Sequence, residues 1–250
     1  MSLGAYFSAK IVFFCYILGM NERGKEHPLN ILIAESYGVF SELGFEIAIE
    51  RELEDEQHNF DILNVPKDHP ARDMQDTFYV KGKEGVLRTH ATNASARALE
   101  KLAAEGKTTA AYISIGKVFR NEATDATHEM QFYQIDGAMV GENITLANLK
   151  AVLLHFYKKV LGEEVEIEFR PSFFPFTEPS VEVFAKFKGK WLEVMGAGML
   201  HPNVLKNCGL DPARVQGFAF GGGLDRIAMV RWGIPDVRLF YQGDLRLNQF

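Results

Sequence analysis

Apolar residues recur at helical spacing from residue 28 onward, where Leu29, Leu32, Ile33, Tyr37, Phe40 and Leu43 mark one buried face that runs until Gly44. His27-Pro28 opens this helix, since proline fits a first helical turn. Residues 45–50 then alternate apolar and polar, the pattern of a half-buried strand. From 53 to 76 periodicity is lost, which predicts a polar loop long enough to be functional or a lid. Helical spacing returns at 93–105, at 145–161 and from 223 to Gly233. Strand patterns fall at 111–120, 131–140, 165–170, 180–187, 190–195 and 216–220, with Lys188-Gly189-Lys190 as a tight turn between antiparallel neighbours. Strands in runs, not in strict alternation with helices, predict an α+β domain with helices packed on an antiparallel sheet.

The chain has 250 residues, of which 47% are hydrophobic and 24% charged, a composition that suits one large globular domain. A formal net charge of −6 excludes a surface that is basic all over, so contact with a nucleic acid must be local or supplied by a partner. Cys15 and Cys208 stand in no metal-ligand spacing and fit a reducing compartment, here expected to be the cytoplasm. Residues 5–20 are mostly apolar but broken by Lys10, too short for a membrane span. The leader, residues 1–26, reads as a packed or oligomer-facing helix, as a segment foreign to the domain, or as a targeting signal. No membrane association is expected.

Strand periodicity puts Phe132, Gln134 and Asp136 on one face of the 131–140 strand, and Tyr133, Ile135 and Met139 on the other. Taken alone, the polar face is one turned to water. The turn before it, 120–129, carries more charge and hydrogen-bonding capacity than a turn requires. The glycine-rich GGGLDR has neither the lysine of a phosphate-binding P-loop nor dinucleotide-binding spacing.

VFRNEATDATHEMQFYQIDG resembles the second signature motif of class II aminoacyl-tRNA synthetases, in the version of the phenylalanyl enzymes' alpha subunit. HPARDMQDTF, LRTHATNASAR, RPSFFPFTEPS, GAGMLHPNVL and GFAFGGGLDRIAMVRWGI are similar to that family's other landmarks, in the same order. The resemblance covers 27–250, taken as the catalytic domain, and implies the class II fold. It implies ATP-dependent activation of phenylalanine and its ligation to tRNA(Phe). It further implies that Arg120 grips the α-phosphate and substrate carboxylate and Arg226 the far end of the triphosphate, each as a planar fork. Phe132 would stack on adenine, Glu122 take its amino edge, His128 and Glu129 cover the nucleotide, and Gly223 let the third motif's strand pass close beneath ATP. Glu193 matches the position facing a Mg2+ that travels with the phosphates, with Trp191 and Met195 expected on its face. An edge-strand glutamate is the alternative.

For the amino acid, Phe174 and Phe176 offer rings for an edge-to-face contact worth about 0.5–1.5 kcal/mol, with core packing as the plainer alternative. The resemblance makes Ala219 and Gly221 the opposite wall, and His90, Thr92, Gln134 and Asp136 the ammonium site and lining. Asp225 stands where the family usually has Glu, and Ser95 where it often has Gln. Only the leader precedes His27, so the family's tRNA-touching arm is expected to be absent, as is an anticodon-binding extension. Transfer to tRNA would then depend on a beta subunit in a heterotetramer, with a homodimer through the first helix as the other assembly. A paralogue that adenylates an amino acid for another acceptor, or a non-catalytic module, are the competing readings. The phosphate-gripping arginines favour catalysis.

Overall fold

The computed structural model describes residues 25–49, 51–72, 77–244 and 247. Residues 1–24 of the leader and 73–76 of the HPARDMQDTF segment lie outside the described residues. Helix α1 (Pro28–Glu42) begins where the Leu29 amide donates to His27 Nδ1 at 3.2 Å and stops before Gly44, whose φ of 81° favours glycine. Helices α2 (Thr92–Ala104), α3 (Leu146–Leu161), α4 (Pro202–Asn207) and α5 (Leu224–Trp232) follow. A reciprocal cap opens α3: the Asn148 amide donates to Thr145 Oγ1 and the Thr145 amide to Asn148 Oδ1.

Nine strands are described: β1 (Glu46–Ile47), β2 (Leu53–Glu54), β3 (Val86–Leu87), β4 (Ala110–Phe119), β5 (Gln131–Gly141), β6 (Glu166–Phe174), β7 (Thr177–Phe187), β8 (Lys190–Leu200) and β9 (Gln216–Gly223). Seven form one sheet in the order β1-β4-β5-β9-β8-β7-β6, antiparallel throughout except for the β1–β4 pair, which is parallel. The turn between β7 and β8 is tight, with Lys188 at φ 48° and Gly189 at φ 77°, the pair of positive angles that matches strand twist.

The sheet has two differently furnished faces. On one, α1, α3 and α5 bury Phe40, Phe156, Tyr157, Phe218 and Phe220, with the Phe40 and Phe220 rings stacked at 5.3 Å. On the other, α2 and α4 pack Leu99, Val204 and Leu205 against Ala138 and Ala219. That second cover stops short of the strand ends nearest Phe132 and Gly223, and the uncovered part is the site.

Two expectations need correction. The strand expected over 45–50 shrinks to a two-residue edge whose Ile47 and neighbouring Ile49 are 53% and 81% exposed; Glu50 is not described. The segment from 53, expected to be a polar loop, buries Phe60, Ile62, Leu63 and Val65 against α2 and its surroundings. It is anchored by Glu54, 1% exposed, which accepts from Arg97 Nε at 3.0 Å and Asn93 Nδ2 at 2.9 Å. Its apolar residues lack a period because an irregular wrap, not a repeating element, brings them inside.

Gly137 of β5 faces Phe220 so closely that a Cβ there would lie 2.3 Å from the ring's Cζ. Gly137→Ala should therefore destabilise the fold by about 1–3 kcal/mol, the usual penalty of overpacking. The shift in urea midpoint measures it; an unchanged midpoint would mean the ring yields freely.

Candidate active site

Register across the sheet aligns Arg170, Glu182, Gly196, Gly221, Asp136 and Ser114 in one row on the half-covered face. The two central members are glycines, so the row has a gap in its middle. A Cβ on Gly196 would meet the Phe174 ring at 2.9 Å, and one on Gly221 would come within 2.8 Å of Asp136 Oδ2. These approaches leave no room for a side chain.

Beside this gap opens a cavity of about 460 Å³. Of the expected residues, Arg120, Glu122, His128, Glu129, Phe132, Gln134, Glu193, Gly221, Gly223 and Arg226 all line it. The two arginines, more than a hundred positions apart in the chain, thus share one cavity. Arg120 leaves β4, donates from Nε to Thr89 O at 3.2 Å and sits 5.2 Å from the Phe132 ring centroid. Glu122 Oε1 lies 3.9 Å from Arg120. Arg226, exposed on the first turn of α5, makes no ion pair among the described residues. The loop over the cavity is pinned by Asp125, which accepts from the amides of Thr127 at 2.6 Å and His128 at 2.8 Å. Those donors hold its carboxyl well below the usual range.

Glu193 reaches the cavity through a β-bulge, because Met195 pairs with Val183 while Glu193 pairs with Phe184. The inserted Val194 breaks the alternation. Met195, expected on the face of Glu193, instead packs in the core beneath the sheet at 3% exposure, near the Tyr157 hydroxyl. Trp191 stays two residues from Glu193 in register, opposite Lys186.

The other expected residues form an adjoining layer. Asp136 is 2% exposed and accepts from Thr92 Oγ1 at 2.6 Å and Ser95 Oγ at 3.1 Å. Ser95, the position that departs from the family pattern, is thereby spent on Asp136. Burial pushes the Asp136 carboxyl up to about 7. Gln134 Oε1 accepts from the Ala91 amide at 3.0 Å. His90 shares a hydrogen bond of 2.9 Å between Nε2 and Asn59 O, leaving Nδ1 buried and unpartnered among the described residues. Since a carbonyl only accepts, Nε2 carries the proton and Nδ1 is a bare acceptor. Burial, helped by nearby Arg120, drops its pKa to about 4, so the ring is neutral. Phe174 and Phe176 lie parallel, 5.8 Å apart and 7° between planes. Phe176 packs against the core cluster that includes Ala219, whereas Phe174 lines a second cavity of about 540 Å³. Neither ring, nor His90, Thr92, Asp136 or Ala219, is in the wall of the first cavity; they stand behind Gln134, Gly196 and Gly221.

A model of the tRNA synthetases class II core domain (F) matches residues 17–250. The chain belongs to that family. The phenylalanine–tRNA ligase alpha subunit of Staphylococcus carnosus is 50% identical over 240 residues, covering 91% of this chain and 67% of the relative. That of Macrococcus caseolyticus is 49% identical with the same coverage, and that of Bacillus mycoides 48% identical over 242 residues, covering 92% of this chain and 70% of its own. In fold, the chain is similar to pyrrolysyl-tRNA synthetase from Desulfitobacterium hafniense, with a TM-score of 0.73 at 17% identity over 91% of this chain and 78% of that one. The expected class II architecture of an antiparallel sheet with flanking helices is thus borne out.

Sequence reasoning missed two participants. Gly196 has the signal of a glycine inside a strand pattern, a known mark of close backbone or ligand approach. Tyr241, whose hydroxyl donates to Asp225 Oδ1, carries no local signal at all.

Asp136 predicts a distinct pH response. Its folded pKa lies above that of an unfolded Asp, so the unfolded chain releases this proton first and folding weakens as pH rises from about 4 to about 7. His90 acts the other way, adding stability as pH rises from about 4 to 6.5. Asp136→Asn should therefore gain on the wild type through the window from about 4 to about 7, with no further gain above. Urea midpoints against pH read the difference; a flat difference would show that Asp136 ionises normally.

Proposed function

We infer that this chain is the catalytic core of an alpha subunit that activates phenylalanine with ATP and ligates it to tRNA(Phe). The observation that carries this reading is the meeting of Arg120 and Arg226 in the wall of one cavity, with the Phe132 ring against Arg120 and the glycine pair beside it. The alpha-subunit names of relatives at 48–50% identity supply the amino acid.

Activation is attack by a carboxylate on the α-phosphorus of ATP, with pyrophosphate leaving, so two anions must be held together while charge builds on the phosphoryl oxygens. Arg120 does this from a braced position, since Thr89 O and the Phe132 ring fix its guanidinium. Arg226 holds the trailing phosphates, Phe132 stacks on adenine, Glu122 reads its amino edge, and His128 and Glu129 close over the nucleotide. Gly223 lies beneath it, next to the Phe132 ring, where a Cβ would make an ordinary contact at 3.8 Å. Gly221 and Gly196 let Asp136 and the Phe174 ring lie close against the strands between the phosphate end and the amino-acid layer.

The amino-acid pocket is the layer behind the glycines. Phe174 and Phe176 meet the substrate ring, with Ala219 as the far wall, and Gln134, Thr92, Asp136 and His90 surround the ammonium group. An ammonium ion offers three donors to a dry site, and the Asp136 carboxylate and the bare Nδ1 of His90 are acceptors of the required kind. Its charge would also favour the ionised form of Asp136.

A magnesium ion suits Glu193, a carboxylate on the cavity wall with no ion pair among the described residues. Asp225 is not available in the same way, both of its oxygens being occupied by Tyr133 and Tyr241. When bound, the ion neutralises phosphate charge. The relatives' alpha-subunit names support a beta-subunit partner, which would complete the enzyme as a heterotetramer, and the exposed Ile47 and Ile49 beside the sheet edge are an apolar strip that a partner would cover. The homodimer through the first helix is the other assembly. Among the described residues no helix is long and apolar enough to cross a membrane, and translation places the reaction in the cytoplasm.

Exchange of labelled pyrophosphate into ATP, run with each of the twenty amino acids, should respond to phenylalanine alone; no response with or without a beta subunit would favour a binding module. Arg120→Ala should slow exchange at least tenfold, given losses of about 2.7–4 kcal/mol at comparable transition-state donors. A near-normal rate would refute its role. Ala219→Gly should admit para-substituted phenylalanines, and unchanged discrimination would remove Ala219 from the pocket.

A further inference from the structure

Asp225 and Arg226 are neighbours on the first turn of α5, and consecutive helical side chains diverge by about 100°. Both residues border the cavity, Arg226 exposed and Asp225 buried at 3% exposure. Its Oδ2 accepts from the Tyr133 amide at 2.8 Å and its Oδ1 from the Tyr241 hydroxyl.

These two donors come from separate parts of the site. Tyr133 sits in β5 between Phe132 and Gln134, both in the cavity wall. Gln134 pairs with Gly223, the last residue of β9, so the Tyr133 amide lies just beyond the end of that ladder. The carboxylate takes the donor that a longer β9 would have taken. Tyr241 follows the short helical turn Val237–Phe240, whose Val237 amide donates at 2.9 Å to Ala126 O in the loop bearing His128 and Glu129. One carboxylate thereby joins the strand of the stacking ring, the helix of Arg226 and the segment that holds the covering loop.

Burial of this carboxyl is costly in itself, raising its pKa to about 6. A mere cross-link between helix and strand could be made by neutral groups without that cost. Placement one residue before Arg226 gives the cost a purpose: the polar contacts fix the rotation of α5 at the residue that must face the phosphates.

We propose that Asp225 is a positioning residue, which sets Arg226 over the phosphate end of the cavity by tying α5 to Tyr133 and Tyr241. The assignment rests on the reading of Arg226 as a triphosphate ligand.

Calorimetric titration of the full chain with magnesium-ATP, without amino acid, tests it in a double-mutant cycle. Asp225→Ala and Tyr241→Phe should each weaken ATP binding by about threefold to tenfold, the net effect of one or two lost hydrogen bonds. In an Arg226→Ala background the same changes should cost less than about twofold, because their route to the nucleotide is gone. Asp225→Asn, which restores an acceptor, should recover most of the loss. Equal losses in both backgrounds would overturn the proposal, as would wild-type affinity in both single variants. If Asp225→Ala does not fold, Tyr241→Phe keeps the ring and carries the cycle alone. A wild-type chain that binds ATP but shows no phenylalanine-dependent exchange would refute the amino-acid assignment and leave this cycle decisive.

Discussion

Two glycines paired in the middle of a twisted sheet govern the site. Gly196 and Gly221 face each other across β8 and β9, and their missing side chains are replaced by the Phe174 ring on one flank and by Gln134 and Asp136 on the other. A strand interior gives up stability by holding glycine, and here the loss leaves a trough into which the Phe174 ring and the Asp136 carboxylate settle. It lies between the cavity wall at Gly221 and Gly196 and the layer of Phe174 and Asp136. The opposite face of the same strands is filled by Phe218 and Phe220 against Phe40 and Phe156, so the floor of the trough rests on dense packing.

The polar groups behind the trough are held in their uncharged or hydrogen-bonded forms before any substrate arrives. His90 is neutral because burial and Arg120 both oppose its protonation, and Asp136 is satisfied by the hydroxyls of Thr92 and Ser95. Burying polar groups is tolerable only with such partners. The arginines differ in kind. Arg120 is braced by a carbonyl and a ring, whereas Arg226 extends from a helix turn and depends on what orients that turn. A cavity with one rigid and one helix-borne cation suits a ligand whose two ends differ, one reacting and one leaving.

The fold is shared with pyrrolysyl-tRNA synthetase at 17% identity and a TM-score of 0.73, while the alpha subunits are near 50% identical over 240 residues. A shared scaffold fixes the fold and leaves the chemistry to the particular side chains set on it. The bulge at Val194 turns Glu193 to the cavity face and buries the Met195 side chain in the core at the cavity's border, which regular pleating could not do in two steps along one strand.

The chain's own pattern determined four of the five described helices, α4 being unread, because Pro28, Thr145, Gly44 and Gly233 act through local backbone geometry, and it determined the long strands, because alternation and the Lys188-Gly189 turn are also local. It placed Phe132, Gln134 and Asp136 on one face for the same reason. The tertiary structure alone decided that this face is largely buried, since nothing in a strand of period two says what will cover it. It decided the fate of residues 53–72, whose Phe60 and Leu63 are buried by an irregular wrap with no period to detect. It decided that Met195 turns inward, because a bulge exists only relative to the partner strand. Finally, it brought Tyr241 to Asp225 and Thr89 to Arg120, contacts set by how three segments close on one another, which no local run of residues encodes.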